Sequence, residues 1–255
     1  RLSYAGLQLA LAFYLIHLSE FTIQISLTVA RDRLVGVLLG TFMMWLVFER
    51  FYQRSASDEM IRIFISNLRL MAEMILTTPT DGNEAAIIRI RRQRDQIYRH
   101  FGEVNAQSDA VPFETGPKRI GDMAARDRIR RWQASLRTFY LLETPLLQFR
   151  IFSKATERMR PFAVVENEFR DDCAHVFQRM AQSLEDQLKM NQQGAKPMPT
   201  QGTALLMTRL EHFPAENEKD LLPREQALMR MTRTIAALVD RVQTEVAQEP
   251  LYSVE

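Results

Sequence analysis

Tyr4, Gln8 and His17 place hydrogen-bonding groups inside an otherwise apolar opening stretch, "LSYAGLQLALAFYLIHL", Leu2 to Leu18. Gln8 follows Tyr4 by about one helical turn, so on a helix the two share a face. His17 lies nearer the end of the block. An amide buried in hydrocarbon without a partner costs roughly 2–7 kcal/mol, so Gln8 must face protein or a water-filled path. Two chemistries satisfy that demand: a hydrogen bond between packed helices, or the lining of a route for a solute. Asp32 and Arg33 precede a second apolar block, where they could pair or cap a helix. Gly36 and Gly40 form a G-x-x-x-G pair that lets a neighbouring helix backbone come close.

Little else in the chain offers chemistry. Nothing matches G-x-x-x-x-G-K-[ST] or G-x-G-x-x-G, so no nucleotide-phosphate cradle is expected. His17, His100, His175 and His212 are scattered without ligand spacing, and the single cysteine, Cys173, excludes both an intrachain disulfide and a multi-cysteine zinc site. Cys173 sits on an apolar helix face, as a small core residue would. No catalytic residue, cofactor or metal is expected, and no motif supports an enzyme.

The elements that carry the polar residues are unusual in charge. Residues 1–54 hold three acidic side chains (Glu20, Asp32, Glu49) and five arginines; the other 201 residues hold 28 basic and 28 acidic groups. That neutral remainder argues against nucleic acid, whose phosphates require an excess of Lys and Arg. Leu2–Leu18 has no Asp, Glu, Lys or Arg over seventeen residues, and Leu34–Phe48 has none over fifteen. A bilayer core of about 30 Å takes about 20 apolar helical residues, with a lower limit near 17. The second block reaches that length only with Arg33, Glu49 and Arg50 at the interface. Tyr4, Trp45, Phe51 and Tyr52 lie near block ends, where aromatic rings suit the headgroup zone. Residues 1–54 are therefore expected to form a transmembrane helical hairpin.

From Ser57 the pattern becomes amphipathic. Ser57, Asp58 and Glu59 read as an N-cap with acids in the first turn. Ile61, Phe64, Ile65, Leu68, Met71, Ala72 and Ile75 then recur at helical spacing. Further helices are expected from Glu84 to Val104, from near Lys118, after Pro161, near Thr203 to His212, and over the residues around Leu228 to Val242. Pro145 should kink or end the helix that contains it. "NQQGAKPMPTQG" reads as a flexible linker near 190–203. No segment alternates like a strand. The expected fold class is all-α, with a helical bundle domain over 55–255.

The opening residues resemble the last membrane segments of the fusaric acid resistance and aromatic acid exporter family. Its S-Y-A-G-L-Q-x-A-x-A-F run is matched by Ser3, Tyr4, Ala5, Gly6, Leu7, Gln8, Ala10, Ala12 and Phe13. Its D-R-x-x-G-x-x-x-G pattern is matched by Asp32, Arg33, Gly36 and Gly40, with Phe48 closing the apolar stretch. Where the family often has Trp-Pro, this chain has "FYQRS". "NAQSDAVPFE" and "RDRIRRWQASLRTFYLLETPLLQFR" extend the likeness to about residue 190.

The resemblance implies the C-terminal part of a bacterial inner-membrane efflux permease, with upstream membrane helices belonging to the same protein. It implies export of small organic, aromatic-acid-like compounds, energy from the proton gradient, and a C-terminal domain in the cytoplasm. A periplasmic adaptor and an outer-membrane channel are the implied partners beside the lipid bilayer; a homo-oligomer is left open. Tyr4, Gln8 and His17 would line the transport pathway, with Asp32, Arg33, Gly36 and Gly40 as a gating or structural motif. The rival reading is a soluble or peripheral helical interaction module whose apolar blocks are buried in an oligomer interface.

Overall fold

Apolar residues at three- and four-residue steps need a facing surface, and from Ser55 onward the chain supplies it by folding helix on helix. The computed structural model describes residues 27–51, 55–77, 84–114, 118–152, 161–193, 206–211 and 221–252. Among them the helices are α1 (Leu27–Phe51), α2 (Ala56–Leu76), α3 (Glu84–Ala110), α4 (Arg119–Phe152), α5 (Pro161–Gln192), α6 (Leu206–Glu211) and α7 (Pro223–Gln248). A 3-10 turn, Val111–Phe113, follows α3, and no strand occurs among the described residues. The chain is all-α. It divides after Arg54 into two compact units, of which α1 belongs to the first and α2–α7 to the second.

The second unit is built around α2, which packs against α5 and α3 and also touches α4; α7 packs against α4, α5 and α6. Its core holds Ile61, Phe64, Leu68, Trp132, Phe139 and Phe177, all at most 1% exposed. Phe139 and Phe177 meet edge to face at 4.8 Å between ring centroids, the arrangement their quadrupoles favour. The face expected on α2 is buried as a whole, and on α5 Phe169, Cys173, Val176, Met180, Leu184 and Leu188 line the core. Val165 is half-buried at its edge.

Three boundaries differ from expectation, each for a local reason. The N-cap of α2 is Ser55, not Ser57: the Ser55 hydroxyl accepts from the Asp58 backbone N–H at 3.4 Å, and Ser57 is buried inside the first turn. α3 runs past Val104 to Ala110, because Val104, Ser108 and Val111 continue its buried stripe up to the proline turn. α4 neither stops nor breaks at Pro145 but continues to Phe152. The carbonyl that Pro145 leaves without its helical donor belongs to Leu141, whose side chain is exposed, so water reaches that face of the helix.

The chain's end is fastened to the bundle. Leu251 is fully buried; its N–H donates to the Gln187 side chain at 2.8 Å, and its carbonyl accepts from Arg128 at 2.9 Å. Glu249 bridges Arg128 and Arg131 at 3.4 and 2.7 Å.

Candidate functional site

α1 presents a surface unlike any in the bundle. All thirteen residues from Leu34 to Leu46 are exposed, among them Leu38 at 61%, Trp45 at 57% and Phe42 at 50%. Residues that follow one another at 100° cover every side of a helix in four steps, so the apolar coat is circumferential rather than one stripe. Thr41, the one hydroxyl in that run, donates to the Val37 carbonyl at 2.8 Å and shows no free donor to its surroundings. Side chains added at Gly36 and Gly40 would meet nothing within 4 Å, so the glycine face is bare and accessible.

The helix has already begun before the polar pair at the head of this run. Asp32 and Arg33 lie more than a turn inside α1, which already includes Leu27, so they do not cap it. The Asp32 carboxylate pairs with Arg31 at 3.1 Å, both side chains well exposed, a pair that contributes little to stability. Tyr4, Gln8 and His17 lie outside the described residues, as does the linker after Gln193. No helix among the described residues is long and apolar enough to cross a membrane. α1 spans about 37 Å in 25 residues, but its uncharged run of fifteen covers only about 22 Å.

Within the bundle, the most heavily charged interior position is Arg150. It is 7% exposed, and its guanidinium pairs with Glu143, one face and two turns earlier on α4, and with Glu166 of α5 at 2.8 Å. Its third contact is a hydrogen bond to the Ile75 carbonyl at 3.2 Å, in the last turn of α2. Helix ends leave their last carbonyls without partners, and a buried guanidinium that satisfies one is favoured by the dipole as well. Burial pushes the Arg150 guanidinium down from its ordinary value, with Glu166 acting against that. This set ties three helices together and lies outside the groove between α2 and α3 described below. Burial also pushes the nearby Cys173 thiol far up, which leaves no reactive thiolate there.

The opposite end of α2 gathers acids. Glu114 accepts from the Ser55 hydroxyl at 3.1 Å and from the Ala56 N–H, next to Asp58 at the same N-terminus. Gln192 donates to Asp58 at 3.0 Å, and Lys118 donates to the Asn191 carbonyl at 3.2 Å. Burial pushes the Asp122 carboxyl up; the nearby Ser57 hydroxyl offsets this, while Glu114 and Asp58 add to it. The cluster is a bundle end held by capping bonds. No group of three or more metal-ligating side chains occurs among the described residues.

A groove of about 980 Å³ lies between the last turns of α2 and the first turns of α3. On α3, Arg89, Arg92, Gln93 and Gln96 fall at the i, i+3, i+4, i+7 spacing of a single helix face. Leu70, Glu73 and Leu76 face them from α2. Gln93 is 9% exposed, and its side-chain oxygen is buried with no hydrogen-bond partner. In sequence these residues read as "RIRRQRDQ", a solvated face with interleaved charge. What that reading missed is that Gln93 points inward and that a wall from α2 faces the arginines. Compared with known proteins, the chain matches no family model, no curated protein and no solved structure.

Proposed function

We propose that this chain is the C-terminal part of a bacterial inner-membrane efflux transporter that exports small organic, aromatic-acid-like compounds at the expense of the proton gradient. α1 is its final membrane helix and α2–α7 its cytoplasmic domain. One observation carries the reading: the apolar surface of α1 from Leu34 to Leu46 is exposed on all sides. A helix that is apolar all round is stable only inside a large protein or in lipid. The uncharged run falls short of a bilayer core, and the reading requires the charged positions at its two ends to lie in the interfacial zone.

Packing follows from the same surface. Gly36 and Gly40 offer a bare strip for a neighbouring membrane helix, and lipid tails give no hydrophobic drive, so close backbone contact supplies the attraction. Tyr4, Gln8 and His17 line the pathway in an alternating-access cycle, while Asp32 and Arg33 act as a gating or structural motif within the last helix. Membranes carrying the chain are washed with alkaline carbonate. Retention in the pellet is expected of an integral hairpin, and release into the supernatant belongs to a peripheral module with no transport role. Efflux measured with Gln8→Leu in the complete transporter then tests the pathway: wild-type export at normal protein level removes Gln8 from it.

A further inference from the structure

We propose that the end of the bundle where α2 begins lies on the lipid surface, with Phe113 and Ile120 as apolar anchors in the headgroup zone and Lys118 and Arg119 beside its phosphates. This contact presupposes α1 as the final membrane helix and adds a second, peripheral attachment made by the bundle itself. Only residues 52–54 lie between the end of α1 and Ser55, a chain reach of at most about 14 Å. With α1 ending at the interface, the first turn of α2 is therefore tethered near the membrane. Other elements meet at that turn. Glu114, the residue after Phe113, accepts from the Ser55 hydroxyl and the Ala56 N–H. From the last turn of α5, Gln192 donates to Asp58, and the Asn191 carbonyl accepts from Lys118, the residue before α4.

The side chains this end shows to its surroundings suit a bilayer interface. Phe113 is 76% and Ile120 69% exposed, and Met190, in the last turn of α5, is exposed beside them in the same end. Among the described large apolar side chains only Phe152, at 75%, is as open as these two. Apolar groups of this size gain by entering the headgroup and upper acyl region, where no folded core is needed to cover them. The acids at this end are engaged with protein: Glu114 with the start of α2, Asp58 with Gln192, and Glu59 with Arg62 at 3.7 Å, while Asp122 is buried. Lys118 and Arg119 are exposed, and a basic side chain at a membrane surface is drawn to lipid phosphate while its stem lies along apolar neighbours.

The chain's single cysteine, Cys173, is buried, so a thiol-reactive fluorophore labels only an introduced cysteine. The fluorophore is placed at Phe113→Cys, Ile120→Cys or Phe152→Cys in the full chain, reconstituted in phosphatidylethanolamine–phosphatidylglycerol bilayers. Phe152 is the control, equally open but at the far end: Arg150, two residues earlier, donates to the Ile75 carbonyl in the last turn of α2, a helix about 30 Å long. Lipid carrying a headgroup nitroxide is expected to quench positions 113 and 120 severalfold more than position 152, and iodide in the water to do the reverse. With the fluorophore moved to Met190→Cys, adding Phe113→Asp and Ile120→Asp is expected to cut the lipid quenching severalfold. Equal lipid quenching at positions 113 and 152 would overturn the proposal. So would quenching at Met190→Cys that the two aspartates leave unchanged, since the tether alone would then hold this end in place. Positions 113 and 120 shielded from both quenchers would put protein, such as a second copy of the chain, where lipid is proposed. Trp45 in the same bilayers separates this contact from the reading beneath it. Trp45 quenched by brominated acyl chains with positions 113 and 120 unquenched removes the bundle contact alone, whereas an unquenched Trp45 removes both.

Discussion

Arg150 ties α2, α4 and α5 together through the Ile75 carbonyl, Glu143 and Glu166. Glu143 and Arg150 stand seven apart, two turns of one helix, but Pro145 lies between them and suggests an ending rather than a continuous face. Glu166 comes from another helix, and no local spacing relates it to Arg150. Removing one partner of a buried ion pair leaves the others uncompensated, so Arg150→Ala is expected to cost about 3–5 kcal/mol in urea unfolding of the chain. A loss below about 1 kcal/mol would mean that solvent already screens the set. Asp122 gives a pH signature. Its carboxyl titrates above the ordinary 3.8, so the folded state holds that proton more tightly than the unfolded one. The stability it contributes is full below that ordinary value and is lost as pH rises through the raised one. Asp122→Asn, which keeps a polar group beside Ser57, is therefore expected to be more stable than the wild type at pH 7. The difference should close at pH 3 in matched denaturation curves.

Helices were legible wherever the apolar step was regular, and their ends less so. The α2 face from Ile61 to Ile75 and the α5 face from Phe169 to Leu188 could be placed residue by residue, since each repeats at helical spacing and each is buried. The cap of α2 fell two residues early because serines at 55 and 57 both precede Asp58, and only Glu114, from 59 residues away, distinguishes the one that accepts it. The capping of α6 was equally invisible: its first N–H groups, on Leu206 and Met207, donate to Asp240 of α7 at 2.8 and 2.9 Å. Pro145→Ala restores the missing donor to Leu141, and a gain in unfolding free energy of up to about 3 kcal/mol is expected. A net loss would show that the proline is needed to bring Arg150 to Ile75. On α1, Gly40→Ile meets open space within the chain, so bundle stability should not change. Packing of α1 against other membrane helices should weaken by about 1–2 kcal/mol, measured as cross-linking yield in membranes.

At the scale of the whole chain, charge and hydropathy already separate an opening with two long uncharged apolar blocks from a formally neutral helical remainder, and the fold divides after Arg54. The all-α class followed from periodicity alone. The groove did not, because two helices far from identical in pattern had to be set side by side before Arg89, Arg92 and Gln93 acquired an opposite wall. What surrounds α1 decides the function, and the two tryptophans of this chain make that measurable. Trp132 is fully buried in the bundle core, whereas Trp45 is 57% exposed on α1, so an acyl-chain quencher reaches only the second. The decisive experiment reconstitutes the chain in bilayers whose acyl chains are brominated near their midpoints and compares fluorescence with that in unbrominated lipid. Selective loss of the Trp45 contribution, with acrylamide in the water quenching little, is the outcome expected if hydrocarbon covers α1. Undiminished fluorescence in brominated lipid, with Trp45 open to acrylamide or hidden in a protein oligomer, would contradict it and leave a helical interaction module in place of an exporter.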